Sequence, residues 1–251
     1  MYGQQISQRL KKMNNIKNEL NFTGEYFIPG KSGERIEADH LERYRFACKF
    51  AKGKSVLDIA CGVGYSGPLF IEAGAINYYG VDINEKLIEY AKNNYSSEHI
   101  NYFVGNICTF TNNKMFDLIT CYETIEHINS YETAIKNLYS LLNAGGNLLI
   151  SSPNRTVTSQ NCNTLADKPS NEFHTQEFIT GELLSILNKN GFIADNRNLY
   201  GQRQRKKVYR NRYYRKIIYT LFGNPDIKTL PEVTKVVDKI PRYFVIVATK
   251  K

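Results

Sequence analysis

The 251-residue sequence contains no uninterrupted apolar stretch approaching the ~18 residues that a membrane-spanning helix needs. Its first residues, MYGQQISQRLKKMNNIKNEL, hold no apolar core of the secretory-leader type. A soluble, cytoplasmic protein is the expectation from both absences. The five cysteines, Cys48, Cys61, Cys108, Cys121 and Cys162, form no C-x-x-C pair, which argues against a zinc knuckle or a disulfide framework and for a reducing compartment. No internal repeat is visible. Acids are missing altogether between Asp195 and Asp226, while that stretch carries nine Lys or Arg residues. The other 24 basic residues balance the 24 acids, so the net charge of +9 belongs to this one segment.

What is present is a hydrophobic content of 42%, enough for a globular chain with its own core. After a weakly amphipathic stretch over 1–20 and a Gly-rich loop over 22–35, short apolar runs alternate with helical patterns. The runs are SVLDIA (55–60), YYGVDI (78–83), NYFVG (101–105), FDLITCY (116–122), NLLISS (147–152), FIADNRNLY (192–200) and RYFVIVAT (242–249). Helices are expected over 36–51, from 68, from a cap at Asn84 to about 95, over 131–143 with its end at Ala144-Gly145-Gly146, over 175–190, and over 203–222. Alternation of this kind implies an α/β fold with a mostly parallel sheet covered on both faces. The expected organisation is an N-terminal helix and loop over 1–35 acting as a lid. A single domain then fills 36–251, with a basic helical insertion at about 201–240.

Gly62-Val63-Gly64-Tyr65-Ser66-Gly67 is a G-x-G-x-x-G run between a strand and a helix. By itself the run also suits nicotinamide and flavin dinucleotides. The wider context is VLDIACGVGYSG, with Asp58 inside the strand and Ala60 just before the turn; Asp82 closes the next strand, where an acid accepts hydrogen bonds from ribose hydroxyls.

The ordered series VLDIACGVGYSG, GVDIN, VGN, CYETIEH and LNAGGNLLISSPN resembles class I S-adenosylmethionine-dependent methyltransferases over about residues 33–200. The resemblance implies a Rossmann-like, seven-stranded sheet whose last strand is antiparallel, the place that RYFVIVAT suits. It implies S-adenosyl-L-methionine as cofactor, with Asp58, Ala60, Gly62 and Gly64 at its methionine end, Asp82 on the ribose, and Ile83, Asn106 and Ile107 around adenine. Tyr122 would flank the methyl donor. The lead-in ERIEADHLERYRFA is similar to that of surface-polysaccharide and small-molecule methyltransferases, in which Tyr26, His40 and Arg43 would close over the cofactor.

Glu123, Glu126 and His127 stand at i, i+3 and i+4, so one helical turn after the fourth strand would put them on one face. His174 follows in SNEFHTQEF. Two carboxylates and two imidazoles suit Mg²⁺, Mn²⁺ or Fe²⁺. The pattern resembles the metal site of small-RNA 2′-O-methyltransferases and ubiquinone-pathway O-methyltransferases. Glu123, His127 and His174 are accordingly the candidate catalytic residues, and all four are candidate metal ligands, expected to converge beside the transferred methyl. In GQRQRKKVYRNRYYRK (201–216), arginines and lysines are interleaved with tyrosines, and three readings stay open. These are a solvated helix face, contact with a phosphorylated or nucleotide-linked small substrate, and a nucleic-acid or membrane surface. Tyr209, Tyr213, Ile217 and Leu221 recur every four residues, so one face of this helix is expected to pack inward.

The favoured reading is an O-methyltransferase acting on a sugar, a phosphorylated metabolite or a nucleotide-linked precursor of a surface polysaccharide, with a metal assisting. The partner is then a small anionic acceptor. An RNA 2′-O-methyltransferase and a non-catalytic cofactor-binding protein are the two other readings. The sequence does not specify an oligomeric state.

Overall fold

The computed structural model describes residues 26–206 and 229–251, together with 217, 220 and 221. The chain divides into two compact units: Met1–Thr120 with Leu141–Asn143, and Cys121–Ser140 with Ala144–Lys251. No helix among the described residues is long and apolar enough to cross a membrane.

In the first unit, α1 (Glu34–Cys48) leads into β1 (Ser55–Ile59), α2 (Ser66–Glu72), β2 (Asn77–Asp82), α3 (Glu85–Tyr95), β3 (Ile100–Val104) and β4 (Phe116–Cys121). The ladder runs β3-β2-β1-β4. The β1–β2 and β2–β3 pairs are parallel, with Asp58 opposite Gly80 and Asp82 opposite Val104. Strands sealed on both faces read as unbroken apolar runs, which is why they stand out in the sequence. Val56, Leu57, Phe70, Tyr78 and Phe116 are fully buried between sheet and helices. Asn84 caps α3 as expected, its side chain accepting from the amides of Lys86 and Leu87.

The second unit holds most of α4 (Tyr131–Leu141) and β5 (Leu142–Pro153), then α5 (Arg155–Thr158), α6 (Thr180–Lys189), β6 (Phe192–Ile193), β7 (Leu199–Gln202), β8 (Arg205–Lys206), β9 (Thr234–Lys235), β10 (Lys239–Ile240) and β11 (Tyr243–Lys250). The order is β5-β11-β7-β9, with β6 also on β11, and β8 pairs with β10 separately. The C-terminal strand β11 runs antiparallel to β5, with Ile246 opposite Ile150 and Ala248 opposite Leu148.

The fold is the expected α/β Rossmann-like one, with differences of detail. Counted over both units and among the described residues, the large-sheet strands number nine, not seven. One extra strand arises because FIADNRNLY is two strands, not one. Asp195 accepts from the Arg197 amide and starts a 3₁₀ turn over Asn196–Asn198 that interrupts the ladder. Ala144-Gly145-Gly146 does not close a helix: α4 ends at Leu141 and the glycines lie inside β5, with Gly145 at φ 74°. The helix expected from 175 starts only at Thr180, because Phe178 is drawn into a parallel bridge with Asn154. The expected helix over 1–20 and residues 207–216 of the basic segment lie outside the described residues. Of the described residues of the helix expected over 203–222, Arg205–Lys206 form the short strand β8 instead, whereas Ile217, Thr220 and Leu221 are helical as expected. Ile217 and Leu221 are 55% and 67% exposed, so these two residues are not packed inward, while Tyr209 and Tyr213 of the same expected face lie outside the described residues. A four-residue period announces a face, not its cover.

Candidate active site

The first unit builds its candidate site where β1 and β2 end. The backbone leaves β1 through left-handed conformations at Ala60 (φ 60°), Gly62 (φ 56°) and Gly64 (φ 78°). At Gly62 a side chain would meet nothing within 4 Å, whereas at Gly64 it would strike the Tyr102 ring at 2.5 Å and Ala91 at 2.6 Å. Gly67 and Gly80 also owe their lack of a side chain to Tyr102, whose atoms would lie 2.6 Å and 2.5 Å from an added Cβ. The Tyr102 hydroxyl donates to the Gly64 carbonyl at 2.6 Å. Only the first glycine of the run therefore faces open space; the second and third make room for a buried aromatic ring.

Asp82 spans the two loops. Its Oδ2 accepts from the Gly62 amide and its Oδ1 from the Asn84 amide, each at 2.9 Å. Burial raises its pKa, and these backbone amides oppose the rise. Next to it Ile83 is 67% exposed, an unusual state for a branched apolar side chain at a strand end. Asn106 is exposed and its Oδ1 accepts from the Cys108 amide at 2.8 Å, while Ile107 is buried.

Asp58, expected among the residues at the methionine end, is turned into the protein interior instead. It is wholly buried and its two oxygens accept from four hydroxyls: Thr120 (2.6 Å) and Tyr44 (3.2 Å) on Oδ1, Ser66 (2.6 Å) and Tyr78 (2.9 Å) on Oδ2. Burial pushes its pKa up and the hydroxyls work against that push. The carboxylate ties α1, β2, α2 and β4 to β1, a knot beneath the turn. Of the lead-in residues, Arg43 is buried at 2% exposure and Tyr26 is half-buried. The His40 ring stacks on Phe27 at 4.7 Å, and burial, with the Arg43 charge, holds its pKa well below the usual imidazole range. The Tyr65 hydroxyl, in a residue 3% exposed, has no hydrogen-bond partner among the described residues.

The second unit contains the carboxylate–histidine residues. Ligating atoms of Glu126, His127 and His174 lie within 4.8 Å of one another. The α-helical face expected for Glu123, Glu126 and His127 is not formed. Glu123 sits at φ 47°, and the turn that follows is a 3₁₀ turn over Ile125–His127, tighter than an α-helix. Glu123 is engaged with Ser151 instead: its amide donates to Ser151 Oγ (2.9 Å) and that hydroxyl donates back to Glu123 Oε1 (2.7 Å). Tyr122 is buried at 8% exposure, and its carbonyl accepts from Thr124 Oγ1.

His174 is brought to the turn by main-chain stitching. The Glu126 carbonyl accepts from the Thr175 amide and hydroxyl, both at 2.9 Å, and from the Gln176 amide at 3.2 Å. Gln176 Nε2 donates to the carbonyls of Ile125 and Ile128. The two imidazoles meet edge to face at 4.9 Å. His127 Nδ1 lies 2.8 Å from the Phe173 carbonyl. A carbonyl only accepts, so Nδ1 carries the proton, and in the neutral form of the ring the lone pair is on Nε2. His174 Nδ1 lies 2.7 Å from Glu177 Oε1.

Glu177, Thr158 and Arg155 escaped the sequence reading. Glu177 is buried at 1% exposure. Burial would raise its pKa, but hydrogen bonds from His174, Thr158 and Ser159 prevail and hold the carboxyl below the usual carboxylate range. Arg155 pairs through both terminal nitrogens with Glu182 (2.6 and 3.0 Å) and donates to the Glu177 carbonyl at 2.7 Å. The available signal was H-T-Q-E, an acid three residues beyond the imidazole.

Residues 34–197 match the family model described as a methyltransferase domain. The chain is 41% identical over 107 residues to a ubiquinone biosynthesis O-methyltransferase of Coxiella burnetii, a match covering 41% of this chain and 45% of that protein. The chain thus spans about half the length of that relative. It is 29% identical over 184 residues to a probable S-adenosylmethionine-dependent methyltransferase of Mycolicibacterium smegmatis, covering 72% of this chain and 69% of the other. Among solved structures, a putative S-adenosylmethionine-dependent methyltransferase from Listeria monocytogenes superposes with a TM-score of 0.60 at 17% identity, over 87% of this chain and 100% of that one.

Proposed function

The chain belongs to the methyltransferase-domain family, and on that premise we propose that it is an S-adenosylmethionine-dependent O-methyltransferase acting, with a divalent ion, on a small hydroxylated acceptor. The observation that carries the proposal is the grouping of Glu126, His127 and His174 within 4.8 Å. One carboxylate and two imidazoles form a donor set suited to a divalent cation with positions left for oxygen. The name of the C. burnetii relative supports oxygen as the methylated atom.

S-adenosylmethionine, when bound, supplies a sulfonium methyl carbon that needs no further activation. The residues at the ends of β1 and β2 fit such a ligand. Gly62 leaves the turn open to a methionine end, Asp82 presents a carboxylate for ribose hydroxyls, and the exposed Ile83 offers an apolar cover for adenine. The partnerless hydroxyl of Tyr65, directly after Gly64, is a further polar group available to a ligand. Asp58 supports the turn from below. Arg43, Tyr26 and His40 belong to the lead-in that we assign to closure over the cofactor.

The remaining task of the protein is to hold the acceptor hydroxyl and take its proton. Glu126, His127 and His174 would hold Mg²⁺ or Mn²⁺, which when bound lowers the pKa of an oxygen ligand. His127, with Nδ1 committed to Phe173, presents Nε2 either to the ion or to the acceptor's proton. Glu123, bonded to Ser151, is not one of the three grouped donors. The excess of basic residues in 197–216, of which Arg197 is paired with Asp195 and Arg203 is buried against the Thr229 carbonyl, supports an anionic acceptor: a sugar phosphate, another phosphorylated metabolite or a nucleotide-linked surface-polysaccharide precursor.

Excess chelator should abolish turnover of such acceptors while leaving affinity for S-adenosylhomocysteine intact, and Mg²⁺ or Mn²⁺ should restore it. Glu126→Ala and His174→Ala should each lower kcat by about 100-fold or more, within the range of removing an essential catalytic group. Full activity in excess chelator would leave a metal-independent enzyme with His127 as its base. The same donor set and basic stretch also support RNA 2′-O-methylation, a reading that the salt dependence of RNA binding separates from the first.

A further inference from the structure

Resting on the metal reading above, we infer that Glu177 is the positioning residue of the site, fixing His174 in the tautomer and orientation that direct Nε2 to a cation. His174 Nδ1 and Glu177 Oε1 are 2.7 Å apart. A carboxylate accepts only, so Nδ1 carries the hydrogen, and in the neutral form of the ring the lone pair is on Nε2. Asn171 Nδ2 stands 2.9 Å from that nitrogen, and its amide must be the donor there. Nε2 is thus an acceptor whose lone pair is held by Asn171, and a cation would take the place of that bond.

Glu177 is itself held rigidly. Its Oε2 accepts from Thr158 Oγ1 on α5, and its carbonyl accepts from the Arg155 guanidinium. Arg155 in turn is locked to Glu182 on α6. Asn154 caps α5, accepting from the Thr156 amide and hydroxyl, and its own amide donates to the Pro241 carbonyl. A carboxylate at 1% exposure is costly to keep unless it is fully partnered. Here one oxygen is anchored to the scaffold and the other is spent on the imidazole. A carboxylate behind a ligating histidine sets its ring orientation and raises its basicity, and loss of such a partner lowers metal affinity by about 10–100-fold.

The test is Mn²⁺ binding to the full chain by titration calorimetry, in wild type, Glu177→Ala, Glu177→Gln and His174→Ala. S-adenosylhomocysteine binding serves as the check that each variant is folded. Glu177→Ala should weaken Mn²⁺ by about 10–100-fold. Glu177→Gln, which keeps the volume and one acceptor oxygen but no charge, should fall in between. Nitrogen-15 spectra of the metal-free protein, with His174 assigned by its disappearance in His174→Ala, should show an Nδ1-protonated ring that loses this preference in Glu177→Ala. Wild-type affinity in both Glu177 variants, or an Nε2-protonated His174, would overturn the inference and leave the metal site standing. Failure of wild type to bind Mn²⁺ at all would instead overturn the metal reading, and this inference with it.

Discussion

Asp82 satisfies two loop amides and still has the acceptor capacity of a carboxylate for more, since each oxygen holds two lone pairs. Asp82→Ala should therefore cost S-adenosylhomocysteine about 10–100-fold in affinity, the equivalent of one or two hydrogen bonds to a charged group. Calorimetry against wild type measures this directly; a melting-temperature rise with NADH but none with S-adenosylhomocysteine would contradict the cofactor assignment. His40 makes a prediction of a different kind. Its folded-state pKa is depressed by burial and by Arg43, so the unfolded chain binds protons more readily. The stability that the neutral ring contributes is present above the ordinary imidazole pKa of about 6.5 and is lost as the pH falls toward the folded value. Denaturation midpoints of wild type should drop between about pH 7 and 5, and His40→Gln should flatten that decline. An unchanged slope in the variant would remove His40 as its cause.

Individual elements separate fold from function in the glycine run. Gly62→Ala adds a side chain into open space at φ 56°, so its cost to stability should stay near the ~1–2 kcal/mol of a left-handed residue. Its effect should fall on cofactor affinity. Gly64→Ala instead drives a methyl into Tyr102 and Ala91, and it should unfold in appreciably less urea than Gly62→Ala. Adding Tyr102→Ala should recover part of the loss; no coupling between the two changes would disprove the packing account. The sequence made most of the elements legible, because strands such as VLDIA and DLITC are largely buried and mostly apolar. Their ends were less legible. Asp195 halts a strand through a side-chain bond to the Arg197 amide, and Phe178 delays a helix through a bridge 24 residues back at Asn154. Neither is encoded in local propensity. At the candidate site, donor types could be read from E-x-x-E-H and His174. Glu123's departure could not, because it depends on a positive φ and on Ser151 from another strand.

At the scale of the whole molecule, charge is the distinguishing property. A net charge of +9 concentrated in one segment predicts different salt responses for the two acceptor classes. With a small anionic acceptor, KM should rise modestly as salt is raised from about 50 to 200 mM, whereas RNA engaging six to ten phosphates would lose about 10³–10⁵ in affinity over the same range. We expect the shallow response, checked by fluorescence anisotropy on a labelled oligonucleotide beside steady-state kinetics. A steep slope with tight binding would transfer the assignment to RNA. The imbalance itself was plain in the sequence. Its structural setting was only partly so, since Ile217 and Leu221 share a helical period and yet are exposed.

Three glycines, one in the loop after β1, one in α2 and one in β2, all yield space to the single ring of Tyr102. Selection on packing would keep Gly64, Gly67 and Gly80 in place for as long as that tyrosine remains. A descendant of this chain that had lost its cofactor would go on displaying two of the three glycines of the signature. Packing alone accounts for the second and third glycines, whereas the first faces open space with Asp82 behind it. A survey that separates active from retired copies of the domain would do better to watch Gly62 and Asp82 than the full glycine pattern.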